Sequence, residues 1–167
     1  LAAATLELDA GEVDHRLRHL AAPDGMGGLA SAVALLAEAL AAQQRIVVVG
    51  DFDADGATGT AVAVRGLRLL GARDVGFKVP NRVAHGYGLS PALVAELRAE
   101  APALLLTVDN GIAAHAGVAA ARAAGMRVIV TDHHLPGATL PDADAIVDPC
   151  PPGDAFPSKA LAGVGVV

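Results

Sequence analysis

Arg45-Ile46-Val47-Val48-Val49-Gly50-Asp51-Phe52-Asp53-Ala54-Asp55-Gly56 is the stretch that decides the fold. A short β-branched run, Ile46 to Val49, reads as a strand and ends at an acidic loop, Gly50 to Gly56. An amphipathic stretch, Thr58 to Leu70, follows and closes at Gly71, a residue suited to the left-handed position after a helix.

The same unit recurs downstream. Val75 to Val79 predicts a strand. Ser90-Pro91 supplies an N-cap and a first-turn proline for a helix running to about Ala99. Leu104 to Val108 predicts a strand ending at Asp109-Asn110-Gly111, and a helix from about Ile112 to Ala124 closes at Gly125. Val128 to Val130 predicts another strand, ending at Thr131-Asp132-His133-His134. Strands alternating with helices of this kind are βαβ crossovers, which require a mainly parallel sheet. The expected fold is therefore α/β, a three-layer sandwich.

Outside this core, His15 to Gln44 has a helical pattern in two pieces, broken at Pro23-Asp24-Gly25. The second piece, Leu29 to Leu40, reads as a packing helix. Leu135 to Lys159 is rich in Pro, Gly and Asp and reads as irregular, apart from a short strand at Ala145 to Val147. Ala160 to Val167 starts an apolar helical pattern with neither cap nor end, as expected of a cut through a longer protein.

Composition agrees with this reading and excludes others. Of 167 residues, 53% are apolar, yet there are three Phe, one Tyr and no Trp, so Val, Leu, Ile and Ala must fill the core. The formal charge of −6 is not the footprint of a broad basic face for nucleic acid, but it suits bound divalent cations. Cys150 is the single cysteine, which excludes an internal disulfide and favours a reducing compartment. No signal-like segment opens the chain and no apolar run is long enough for a membrane span, so a cytoplasmic protein is expected.

Three strands end in loops bearing acidic or imidazole groups. Parallel strands bring their carboxyl ends to one edge, where ligands bind in such sheets. Asp51, Asp53 and Asp55, then Asp109, then Asp132, His133 and His134 should meet there. Clustered carboxylates repel unless cations intervene. Mixed Asp and His donors suit Mn²⁺, with Mg²⁺ favoured less. Two ions sharing one carboxylate would activate a water and bind phosphoryl oxygens. Each piece also has an ordinary reading: Asp109 as a helix N-cap, Asp51 as a turn residue, His133-His134 as a surface pair. It is their conjunction at successive strand ends that argues for a site. His15 and His19 read as solvated, His115 as an ordinary residue in the first turns of an Ala-rich helix, without a part in the site, and Cys150 as an inert thiol.

Gly50-Asp51-Phe52-Asp53-Ala54-Asp55-Gly56 resembles the first motif of the DHH phosphoesterases in its RecJ form. Val108-Asp109-Asn110-Gly111 resembles the second motif, and Asp132-His133-His134 the triplet that names the family. Val79-Pro80-Asn81-Arg82, Gly86-Tyr87-Gly88 and Phe156 to Gly165 point to the same branch. The resemblance implies a DHH domain over 45–167, cut short at its C-terminal end and preceded by a helical segment over 1–44. It implies that Asp53, Asp55 and His133 bind metal and that Asp109 bridges two Mn²⁺ ions. His134 would face the phosphate, Asp51 would be a further or supporting ligand, and Asp132 would orient the histidine loop. Arg82 and Lys159 are candidates for holding backbone phosphate. The implied activity is 5′-to-3′ hydrolysis of single-stranded DNA in repair and recombination. A fourth-motif aspartate, a DHH-associated domain and an oligonucleotide-fold domain would lie beyond Val167, leaving these residues by themselves inactive. Val49 stands where many DHH phosphatases have a histidine ligand, as is usual in the RecJ branch.

Competing expectations are a DHH phosphodiesterase of short oligonucleotides or cyclic dinucleotides, and a non-catalytic scaffold. Substrate length separates the first from the exonuclease. Retention of the carboxylates and paired histidines speaks against the second. A generic dinucleotide-binding domain is disfavoured, since no GxGxxG opens a helix after the first strand.

Overall fold

A computed structural model of the chain describes residues 21–167. The first N-terminal helical piece, with His15 and His19, lies outside them. Helix α1 (Leu29–Ala41) is followed by β1 (Ile46–Val49), α2 (Ala54–Leu69), β2 (Val75–Lys78), α3 (Pro91–Leu97), β3 (Leu104–Val108), α4 (His115–Ala123), β4 (Arg127–Thr131), β5 (Ala145–Val147) and α5 (Gly163–Val166). Every strand pairing is parallel, in the order β2-β1-β3-β4-β5. The sequence expectation of a three-layer α/β sandwich holds.

The unbroken apolar runs of β1 and β3 follow from their position. Both strands are central and buried at every residue, so neither has a wet face requiring polar alternation. Ile46, Val48, Leu104, Leu106 and Ile129 face one core layer, packed by α1, α2 and α5. Val47, Val49, Leu105, Val128 and Val130 face the other, packed by α3 and α4. Met26, Ala32 and Ala39 join the first layer, so the segment before β1 shares the core of the sheet.

Helix boundaries differ from expectation where side chains intervene. Helix α2 begins at Ala54 instead of Thr58, because Asp53 caps it by accepting from the Gly56 N–H at 2.8 Å. Helix α4 begins at His115 instead of Ile112. The Ile112 N–H is taken by Asp132 Oδ2 at 2.8 Å, and a turn closed by Ala114 N–H on Gly111 O intervenes. Ser90 caps α3 as expected, through the Leu93 N–H, but the helix stops at Leu97 and tightens into a 3₁₀ turn over Arg98–Glu100. Among the described residues, no helix is long and apolar enough to cross a membrane.

Candidate metal centre

Four strands end on a buried aspartate. Asp51 follows β1, Asp109 follows β3, Asp132 follows β4 and Asp148 follows β5, with exposures of 4%, 1%, 1% and 2%. Parallel pairing puts all four at one edge of the sheet. Sequence reading named the first three and missed Asp148. The same strand-end rule applied to the short β5 finds it. Its Oδ1 accepts from the Cys150 N–H at 2.7 Å, while Oδ2 is buried without a hydrogen bond. Burial pushes this carboxyl above the usual range.

Asp109 is the focus. Its backbone is left-handed, φ 62°, a region that Asp tolerates better than most residues but that still stores strain. Two main-chain contacts hold it: its N–H donates to Thr131 O at 3.1 Å, and the Tyr87 hydroxyl donates to its carbonyl at 3.0 Å. Asn110, fully buried, ties three segments together. Its Nδ2 donates to Val49 O and Val108 O at 3.0 and 2.9 Å, and its Oδ1 accepts from Leu89 N–H at 3.2 Å. Gly111 is required next: its φ is 121°, and a Cβ there would stand 2.6 Å from Thr107 Oγ1. Tyr87 and Asn110 both lie in stretches that the sequence singles out, but their joint clamp on Asp109 had no sequence signal, since only the fold brings 87–89 to 109–110.

The ligand atoms of Asp51, Asp53 and Asp109 lie within 4.8 Å of one another, and so do those of Asp109, His133 and His134. Asp109 belongs to both groups. Asp55 is in neither: its two oxygens accept from Gly163 N–H and Val164 N–H at 2.7 and 2.8 Å, and Oδ2 lies 3.7 Å from His133 Nε2. Asp132 faces inward as a scaffold. Its Oδ1 accepts from the N–H groups of His133 and His134 and from His134 Nδ1, the last at 2.7 Å. A carboxylate only accepts, so Nδ1 carries the proton and Nε2 is the free ring nitrogen. Burial disfavours charge on His134, but the hydrogen bond to Asp132 and the surrounding carboxylates outweigh it and raise its pKa.

A cleft of about 430 Å³ opens beside these groups, lined by Asp51, Phe52, Asp53, Arg82, Tyr87 and His134 among others. Arg82 lies over the Phe52 ring, 4.7 Å from its centroid, and the Tyr87 ring meets His134 edge-on. Lys159 is elsewhere and engaged: its Nζ donates to Pro149 O at 2.6 Å and Asp154 O at 2.9 Å, tying the irregular segment together. His115 is exposed at the start of α4 and belongs to neither ligand group. The Cys150 thiol, its pKa raised mainly by burial, contacts the His133 carbonyl, 3.0 Å from Sγ.

The acids fit a divalent cation. Asp109 Oδ1 is buried without a hydrogen bond, although His133 Nε2 stands 2.9 Å away, as two ligands of one ion would face each other. Burial, then the charges of Asp55 and Asp53, push the Asp109 carboxyl up to about 6. A cation would relieve that cost. Burial likewise raises Asp51.

The N-terminal domain of the DHH family matches residues 45–167. The single-stranded-DNA-specific exonuclease RecJ of Dickeya dadantii is 56% identical over 155 residues, which are 93% of this chain and 27% of that protein. RecJ of Salmonella typhimurium is 56% identical over 141 residues, 84% of this chain and 24% of its own length. A crystal structure of exonuclease RecJ bound to manganese superimposes with a TM-score of 0.75 at 48% identity, covering 84% of this chain and 35% of that one. The chain thus spans about a quarter of the length of these curated relatives.

Proposed function

We propose, since the chain belongs to the DHH family, that it carries most of the two-cation site of a 5′-to-3′ exonuclease acting on single-stranded DNA. The observation that carries this reading is the position of Asp109, common to two groups of ligand atoms and buried with an unpaired oxygen. The names of the relatives supply the substrate class, and the manganese in the related crystal structure supports Mn²⁺ as the metal. Mg²⁺ is the weaker candidate, because imidazole ligates it poorly.

Asp51 and Asp53 would hold one ion and His133 the other, with Asp109 between them and Asp55 completing the second. Bound there, the ions supply an acidified water and charge neutralisation at the phosphoryl oxygens. The chain's own groups do the rest. Asp132 fixes the His134 ring, so that Nε2 can hold a proton toward the departing oxygen. Arg82, which lies over Phe52 at the cleft wall, would grip backbone phosphate. Lys159 is a weaker candidate, since its ammonium is already engaged by the chain. Residues 45–167 would form the catalytic unit and 1–44 a helical flank.

With so few aromatics for base stacking, strand binding would draw on a DHH-associated domain and an oligonucleotide-fold domain of the longer protein. Its work would be DNA repair and recombination in the cytoplasm. The test supplies the protein containing this chain with Mn²⁺ and long 5′-phosphorylated single strands, beside dinucleotides and cyclic dinucleotides. Progressive release of mononucleotides from the 5′ end of long strands is expected. Cleavage confined to dinucleotides or cyclic substrates would overturn the exonuclease reading.

A further inference from the structure

We infer that Gly163 is a positioning residue of the cation site: its N–H, with that of Val164, and its missing side chain set the separation of the Asp55 and Asp109 carboxylates. The inference rests on reading those acids as cation ligands. It concerns the 161–167 segment, which holds none of the proposed ligands.

Two observations meet at this residue. The Gly163 and Val164 N–H groups donate separately to Asp55 Oδ2 and Oδ1, at 2.7 and 2.8 Å. Two donors on two oxygens fix the rotation of the carboxylate and leave each oxygen a second lone pair for an ion. On the other side, a Cβ at 163 would stand 2.6 Å from Asp109 Oδ1, 2.7 Å from its Cβ and 2.8 Å from its Cγ. Asp109 has no room to retreat. Its backbone is held at φ 62° by Thr131 O and the Tyr87 hydroxyl, and its Oδ1 already faces His133 Nε2 at 2.9 Å. Any side chain at 163 therefore displaces the Asp109 carboxylate or lifts the segment off Asp55. Either way the spacing of the two acids changes.

Gly165 provides the contrast. A Cβ there meets Leu161 Cδ1 at 2.8 Å and Cγ at 3.0 Å, part of a flexible apolar side chain and not of an acid. The two glycines belong to one short helix, and only one touches the site.

The experiment measures Mn²⁺ binding to this chain by the loss of the free-ion electron paramagnetic resonance signal, with thermal melting of the metal-free protein alongside. Gly163→Ala is expected to weaken Mn²⁺ binding at least about tenfold, and Gly165→Ala to stay within about twofold of wild type even where its melting temperature falls. Unchanged binding by Gly163→Ala, or equal losses in both variants, would overturn the inference. Should the wild-type chain by itself take up no Mn²⁺, the same variants are compared in the longer protein that contains it, and uptake by neither would overturn the cation reading on which the inference rests. Should Gly163→Ala fail to fold, a second chain decides: a synthetic 150–167 segment, ligated at Cys150, with the Val164 amide replaced by an ester. That change removes one donor to Asp55 and adds no bulk. Weakening of about threefold or more is expected, and none would count against the inference.

Discussion

The two edges of the sheet treat their carboxylates in opposite ways. At the edge where the strands begin, acids meet cations of the chain itself: Arg45 pairs with both Asp74 and Glu100, and Arg127 pairs with Glu38. At the edge where they end, Asp51, Asp53, Asp55 and Asp109 have backbone N–H groups and two imidazoles near them, and Asp109 keeps a buried oxygen unpaired. At the first edge each of these carboxylates has a cation supplied by the chain. The second is complete only with charge from outside. Acidic residues alone do not distinguish a cation site from a salt-bridged surface; what distinguishes it is burial without a partner supplied by the chain.

The sharpest way to break this contrast is Asp109→Ala. It should lower Mn²⁺ affinity more than about 100-fold and reduce nuclease activity of the longer protein to background, while circular dichroism reports an intact fold. Retained activity would remove Asp109 from its bridging position. Next in size is His134→Ala, expected to lower kcat about 100-fold or more with Mn²⁺ affinity changed severalfold at most. Equal losses in both would make His134 a ligand and not a proton carrier.

Protons should compete with the ion. The folded Asp109 pKa, raised to about 6, lies above its unfolded value, so the metal-free folded chain binds this proton more tightly than the unfolded chain does. This group therefore costs stability at pH 7, and the cost shrinks as pH falls through 6 toward 4. Mn²⁺ affinity should move the other way, falling up to about tenfold per pH unit below 6. Titration calorimetry across pH 5–8 would show it, and a flat profile would refute the assignment. The smallest effect belongs to the other edge. Arg45→Met should cost about 1 kcal/mol or less in stability and leave Mn²⁺ affinity alone. A change in affinity would mean that the two edges are coupled.

Much of the fold was legible because burial on both faces leaves a plain trace, uninterrupted β-branched and leucine runs such as Ile46–Val49 and Leu104–Val108. Helix starts were less legible. Asp53 caps α2 through an N–H only three residues on, a local signal shared by three neighbouring aspartates, whereas Asp132 takes the Ile112 N–H from 20 residues away, which nothing local announces. The acids themselves stood out by residue type, and Asp148 was missed although the strand before it was expected, because it opens a Pro-, Gly- and Asp-rich stretch in which one more aspartate does not stand out.

The sequence by itself determined the parallel sheet, the carboxylates at its edge and the twin histidines, because hydrophobic period and residue type are properties of short segments. Only the tertiary structure decided that Asp109 would keep a buried oxygen unpaired, that Asp55 would rest on the Gly163 and Val164 N–H groups, and that Lys159 would be engaged away from the cleft. These depend on distances between segments as far apart as residues 55 and 163. Chain packing sets such distances, and no local pattern encodes them.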